Sequence, residues 1–309
     1  MKKISIITPC LNEEKNILRC YEEVKKIFKE LELEYEHIIA DNNSTDNTRK
    51  ILREITSKDK NVKAIFHTNN FDPFKSQFNA MKYATGDAVL VSLAADLQDP
   101  VYMIKNFIEY WKKGYMVVTG KRENRTDNFF KKFFRTIYYK MFKLISNSSL
   151  EENIGEFTLI DKKVHKIIIN IDDHYPYLRG LIHYLNFKTK IILYKHEKRE
   201  FGTSNYSIFS HIPQALNAFV SFSTIPLRFF LILGFLISSL SILYSIYLLY
   251  ASVALESGAP PGIKTLLVVV FLFFGINFIS LGVIGEFLIS INNQVRKKPL
   301  VVEEEKINL

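Results

Sequence analysis

The chain has 309 residues, with 41 Lys and Arg against 32 Asp and Glu, and a formal charge of +9. That length holds one substantial globular domain plus something smaller. The basic excess does not call for nucleic acid, because a polybasic protein facing anionic lipid carries the same signature. Two cysteines, Cys10 and Cys20, lack metal-ligand spacing and read as a reduced cytosolic pair. No secretory leader pattern is evident, since Met1-Lys2-Lys3 runs straight into a short apolar strand.

Residues 1–120 alternate strand and helix patterns. Lys3–Thr8, Glu36–Asp41, Val62–His67, Ala88–Leu93 and Met116–Gly120 are short and rich in Ile and Val. Between them, Glu13–Glu30, Thr45–Ser57, Lys75–Ala84 and Tyr102–Lys113 show helical spacing. This predicts an α/β fold with a mostly parallel sheet and helices on both faces. Ligands of such sheets bind beyond the carboxyl ends of the strands.

The sequence is most distinctive at those ends. Thr8-Pro9-Cys10-Leu11-Asn12-Glu13-Glu14 follows the first strand, Asp41-Asn42-Asn43-Ser44-Thr45-Asp46 the second, and Ala95-Asp96-Leu97-Gln98-Asp99-Pro100 the fourth. Ser44, Thr45 and Asp46 read as helix caps, and Asp99-Pro100 as a helix start. Capping does not account for Asp41 or Asp96, whose carboxylates would be desolvated at strand ends. Hard oxygen ligands placed there suit Mg²⁺ or Mn²⁺ holding a diphosphate. Neither standard glycine-rich phosphate loop is present, which argues against a dinucleotide dehydrogenase or a P-loop kinase.

Further along, Phe129–Ile145 places Phe130, Phe133, Phe134, Ile137, Met141 and Leu144 on one helical face. Lys131, Lys132, Arg135 and Lys143 lie on the other, the profile of an interfacial helix at anionic headgroups. A second such stretch runs from Ile208 to Ser223. Phe229–Val253 and Thr265–Gly285 then contain no charged residue, each long enough for the roughly 20 residues that cross a bilayer. The short connector Ala254–Ile263 makes the pair a hairpin. Arg228 precedes it, and Arg296, Lys297 and Lys298 follow it, which predicts a cytoplasmic body and C-terminus. Glu286, inside the second apolar run where an ionisable group is costly, is expected near the cytoplasmic interface or in an oligomer contact.

The three strand-end clusters, in this order and spacing, resemble the family-2 glycosyltransferases with the A-type nucleotide-sugar-binding fold. Within that family the likeness is to polyprenyl-phosphate sugar transferases. It extends to Gly120-Lys121-Arg122-Glu123-Asn124-Arg125, to Arg199-Glu200-Phe201-Gly202-Thr203-Ser204-Asn205-Tyr206, to Pro226-Leu227-Arg228 and to Gly282-Val283-Ile284-Gly285-Glu286-Phe287. The resemblance implies a Rossmann-like catalytic domain at 1–127 and an acceptor region at 128–224 with interfacial helices and return strands. It further implies a transmembrane hairpin at 225–292 and a cytoplasmic tail at 293–309.

By the same resemblance, Pro9, Glu13 and Asp41 would line the nucleoside pocket. Asp96 and Gln98 would place Mg²⁺ or Mn²⁺ on the diphosphate. Arg122, Arg125, Arg199 and Ser204 would face the acceptor phosphate, and Glu156 would orient the acceptor. The guanidinium fork suits phosphate oxygens better than an ammonium does.

Four positions depart from the family pattern. Ala94 stands where the family has the first acid of Asp-x-Asp, Asn42 replaces an acid, Leu11 an aromatic, and Thr158 an arginine. The implied reaction is inverting transfer of a hexose from a nucleoside diphosphate sugar, UDP-linked by preference, to polyprenyl (undecaprenyl) phosphate at the inner face of the plasma membrane. The alternatives are another glycan or lipid acceptor and a catalytically degenerate homologue. Membrane lipids and a homotetramer are the other implied partners.

Overall fold

The computed structural model describes residues 2–123, 154–173, 176–197, 263–296 and 298–309, with 230, 232–234, 236–237, 239–240 and 243. The chain divides into two compact units, residues 1–212 with 297–309, and residues 213–296.

The first unit is an eight-stranded sheet. Its elements are β1 (Lys3–Cys10), α1 (Ile17–Leu31), β2 (Glu34–Asp41), α2 (Thr48–Lys58), β3 (Val62–His67), α3 (Pro73–Met81), β4 (Ala88–Leu90), α4 (Met103–Lys112) and β5 (Val117–Arg122). They continue with β6 (Ile154–Asp161), α5 (Lys162–Ile169), α6 (Leu178–Tyr184), β7 (Thr189–Tyr194) and, at the C-terminus, β8 (Glu303–Ile307). The strand order is β7-β5-β6-β4-β1-β2-β3-β8. β1–β2, β2–β3, β1–β4 and β5–β7 pair in parallel, whereas β4–β6, β5–β6 and β3–β8 are antiparallel. The expected α/β sheet is therefore present, but it is mixed, with antiparallel pairings at β4–β6, β5–β6 and β3–β8. From β1 the chain builds outward through β2 and β3, then returns to the other side of β1 with β4. That reversal makes the crevice beyond β1 and β4 the topological switch point, where such sheets bind ligands.

Strand pleating sorts the core. Ile4 and Ile6 of β1 pack with Val24 and Phe28 of α1 and Phe107 of α4. Ile7, one residue out of phase, packs with Phe78 and Met81 of α3 and with Val164 and Ile182 beyond β6. The helices match this pattern: α1 buries Ile17, Cys20, Val24, Ile27 and Phe28, a single stripe at helical spacing.

Within the C-terminal segment, residues 303–307 form an edge strand against β3, a pairing between distant ends of the sequence that no local pattern announces. Asp72 also caps α3, accepting from Phe74 N at 2.9 Å ahead of Pro73, a start signal the helical reading from Lys75 missed.

In the second unit the backbone of α7 (Ile263–Val295) continues for 33 residues. Exposed apolar side chains such as Leu266, Phe273, Phe278 and Leu288 run along it. Among the described residues, no helix is long and apolar enough to cross a membrane. The connector, most of the expected first span and both expected interfacial helices lie outside the described residues.

At the amino edge of the sheet, Glu36 is 1 % exposed. It meets Lys3 at 2.7 Å, Lys63 at 2.8 Å, Ser5 Oγ at 2.6 Å and Thr85 N at 2.6 Å. Burial pushes this carboxyl up, but these partners outweigh it and hold the group at about 2. Because the folded value lies below the unfolded one, Glu36 stabilises the fold above pH ~4.5 and loses that contribution as pH falls toward about 2. Glu36→Gln is expected to cost about 3 kcal/mol at neutral pH and to flatten the acid limb of stability, read by urea unfolding from pH 7 to 3.

Candidate active site

The loops after β1 and β2 are stitched to each other. Asn12 N donates to Ser44 Oγ at 2.8 Å, and Asn12 Oδ1 accepts from Thr45 N at 2.8 Å. Glu13 N donates to Thr48 Oγ1 at 2.9 Å and Glu14 N to Asp46 Oδ2 at 3.1 Å. Asn12 and Asn43 take left-handed φ values of 55° and 66°, conformations asparagine tolerates better than most residues. Ser44 and Thr45 therefore do not cap α2, as the sequence implied. Of the three, Asp46 acts near that terminus, accepting from Thr48 N at 3.0 Å.

Asp41 and Cys10 are register partners at the ends of β2 and β1. Asp41 is 0 % exposed. It accepts from Ser44 N at 3.1 Å and lies 3.2 Å from Arg49 Nε. Burial raises its carboxyl above the ordinary range, against the pull of Ser44 and Arg49. Neighbouring Asn42, where the family pattern has an acid, accepts from Phe71 N at 3.0 Å and donates to Asn70 Oδ1 at 2.8 Å. It thereby ties the end of β2 to the loop after β3. Pro9 stands opposite Ala40 on β1, and Glu13 Oε2 accepts from Asn16 Nδ2 at 2.6 Å.

After β4, Gln98 N donates to Asp96 Oδ1 at 3.2 Å, while Leu97 between them has φ 58°. Glu197 N donates to Gln98 O at 2.9 Å, and Gln98 Nε2 to Glu197 O at 3.4 Å. The Asp96–Gln98 turn is thus fastened to the segment leaving β7.

Asp99 corrects the sequence reading most sharply. It does not start a helix; α4 begins at Met103. Its carboxylate is 5 % exposed. It accepts from Tyr194 OH at 2.5 Å and faces Arg122 Nη2 at 3.3 Å. His196 Nδ1 also lies 3.3 Å away, though off the hydrogen-bond line. Arg122 Nε in turn donates to Tyr194 OH at 3.2 Å. Burial pushes the Asp99 carboxyl up, but His196, Arg122 and Tyr194 together hold it below its usual value. Arg122 is raised despite burial, chiefly by Asp99.

Glu156 on β6 faces the same group. Its side chain keeps partial access to solvent, yet the surrounding protein desolvates it enough to raise the carboxyl to about 7. Arg179 and Arg122 pull that value down, while Asp72 and Asp99 push it up. Arg179 is anchored by Nη1 to Ile154 O at 3.0 Å and by Nε to Tyr177 OH at 2.8 Å. Thr158, at the family arginine position, is buried and donates to Thr119 Oγ1 at 3.3 Å.

Of the residues singled out in the sequence, Pro9, Glu13 and Asp41 stand at the ends of β1 and β2, and Asp96 and Gln98 in the turn after β4. Arg122 and Glu156 share one electrostatic cluster. Arg125, Arg199 and Ser204 lie outside the described residues. Asp99, Tyr194, His196 and Arg179 went unseen. Only Asp99 had a local signal, and helix starting explained it away; the others join the site through parallel β5–β7 pairing or through α6. Among the described residues no three His, Cys, Asp or Glu side chains converge to hold a metal on their own.

The profile of the glycosyl transferase family 2 matches residues 5–185, and the chain belongs to that family. It is 31 % identical over 299 residues to the prophage bactoprenol glucosyl transferase homolog of Escherichia coli K12, spanning 96 % of this chain and 97 % of that protein. It is 32 % identical over 300 residues to the bactoprenol glucosyl transferase of Shigella phage SfII, spanning 96 % of each. The fold is shared with the mannosyl-3-phosphoglycerate synthase of Rubrobacter xylanophilus at TM-score 0.52, with 10 % identity over 70 % of this chain and 71 % of that one. The protein is a glycosyltransferase.

Gly120 is the residue that admits Tyr194: a Cβ there would sit 2.7 Å from Tyr194 Cε1. At Gly155 the nearest atom is 3.8 Å away. Gly120→Ala is therefore expected to displace the Tyr194 ring from Asp99, costing about 1–3 kcal/mol of stability and about tenfold or more in turnover. Gly155→Ala should keep both near the native values, measured by thermal unfolding and a transfer assay.

Proposed function

We propose that the protein transfers a hexose, with inversion, from a nucleoside diphosphate sugar to polyprenyl phosphate at the cytoplasmic face of the plasma membrane. The observation that carries this reading is the similarity to bactoprenol glucosyl transferases over 96 % of the chain, apolar C-terminal region included. UDP is the favoured nucleotide. In this reading Phe229–Val253 and the apolar part of α7 form a two-span hairpin, Phe129–Ile145 and Ile208–Ser223 lie at the interface, and the copies assemble as homotetramers.

Pro9, Glu13 and Asp41 receive the nucleoside. Asp96 and Gln98 fit a hard divalent cation: both offer oxygen, they are held in one turn, and one carboxylate suffices where a diphosphate and waters complete the shell. Mg²⁺ or Mn²⁺ bound there would offset charge on the departing nucleoside diphosphate. Arg122, with Arg125, Arg199 and Ser204, receives the phosphate of the lipid. That phosphate, with a second pKa near 6, is already dianionic at neutral pH and needs no strong base. Glu156 then serves to orient it, and the cations Arg122 and Arg179 keep the cluster from repelling it.

Purified protein with undecaprenyl phosphate, Mg²⁺ or Mn²⁺ and a panel of labelled nucleotide sugars is expected to give one labelled polyprenyl-phosphate sugar. Failure with every donor overturns the reading. Asp96→Ala should abolish turnover with folding intact. Glu156, raised to about 7, should give kcat/KM a limb near that pH that Glu156→Gln removes.

A further inference from the structure

A carboxylate with no exposed surface, as Asp41 has, is costly to ionise unless donors and a cation meet it. Ser44 N supplies one donor. The cation is Arg49 of α2, whose buried Nε lies 3.2 Å from Asp41 Oδ2, close but not aligned as a hydrogen bond. The other end of the same guanidinium donates from Nη2 to Glu304 Oε2 at 2.6 Å, and its Cζ lies 5.2 Å from the centroid of the Phe66 ring. Arg49 thus bridges the strand-end carboxylate of β2 and the C-terminal strand β8.

The bridge depends on an irregularity in β8. In a regular strand, residues two apart share a face. Here Glu303 and Lys306, three apart, both reach Tyr83. Glu304 and Glu305, adjacent, both reach α2, at Arg49 and Arg53. The register explains this: Glu305 stands opposite Phe66 and Glu303 opposite His67, so Glu304 has no opposite partner. It is the extra residue of a β-bulge, a device that re-aims one side chain. An uninterrupted pairing would send Glu304 and Glu305 to opposite faces.

We propose that Arg49, held by the bulged Glu304 of β8, is a positioning residue that fixes the Asp41 carboxylate for the nucleoside end of the sugar donor. This rests on the assignment of Asp41 to the donor pocket made above. It makes the C-terminal strand part of the donor site's support. The neighbouring pair Arg53–Glu305 is its natural control, because it joins the same two elements at 2.6 Å without an ion pair to Asp41.

The test uses the full-length protein in detergent micelles. Calorimetry gives Kd for uridine or guanosine diphosphate, whichever the wild type binds more tightly, and steady-state kinetics varies donor and lipid separately. Arg49→Gln is expected to weaken nucleotide binding and raise donor KM about tenfold, the scale of one charge-assisted contact. Saturated kcat and acceptor KM should stay within about twofold. Glu304→Gln should act on the same constant more weakly, and the double variant should be no worse than Arg49→Gln alone. Arg53→Gln should leave donor KM unchanged. Should Arg49→Gln fail to fold, Arg49→Lys, which keeps the cation but not the two-ended fork, should give an intermediate donor KM. Unchanged nucleotide affinity in the Arg49 variant, or an equal loss in Arg53→Gln, overturns the inference. A wild type that binds neither nucleotide overturns the functional reading itself, and this inference with it.

Discussion

One buried carboxylate organises the side of the site built on β4, β5 and β7. Asp99 follows β4, and its partners come from the ends of β5 and β7. A carboxylate so enclosed must stay paired, because stripping one partner leaves a buried charge, at a cost of about 3–5 kcal/mol. The requirement fixes where β5 and β7 end relative to the turn carrying Asp96 and Gln98. It also explains Gly120, since the Tyr194 ring that reaches Asp99 occupies the space a side chain would need.

The two halves of the site are built differently. At the ends of β1 and β2, contacts run between two successive strand-end loops, and Asn12, Ser44, Thr45 and Thr48 cross-link them with short hydrogen bonds. That half draws on residues within the first 50 positions. On the other side, Asp99, Arg122, Glu156, Arg179 and Tyr194 are drawn from segments scattered between positions 99 and 194. Their charges balance only when the antiparallel return strand β6 lies between β4 and β5. Glu156, raised to about 7, is the one carboxylate of the group poised near neutrality, a placement typical of functional groups.

The edge of the sheet carries a second long-range constraint. An open edge at β3 would present unpaired N–H and C=O groups, and β8 covers it with residues from the far end of the chain. Three consecutive glutamates there are not a solvated acidic tail. Glu303 meets Asn79 and Tyr83, Glu304 meets Arg49, and Glu305 meets Arg53. A charge run that composition alone assigns to solvent is here a row of specific cross-links.

The sequence by itself determined the alternation of strands and helices, because hydrophobic periodicity is local and strong in this chain: β3 falls where its Ile and Val spacing puts it, and α1 falls on the expected stretch though it starts at Ile17 rather than Glu13. It also placed Pro9, Glu13, Asp41, Asp96 and Gln98 at strand ends, since position along an element is a local property. Tertiary structure alone decided which of those ends meet. The reversal of strand order at β1 and β4, the entry of Tyr194 and Arg179 into the site, and the addition of β8 are pairings between distant segments. No periodicity encodes them. It also reassigned Ser44, Thr45 and Asp99, which suit helix caps by residue type alone; their actual partners include side chains and backbone brought near only by the assembled sheet.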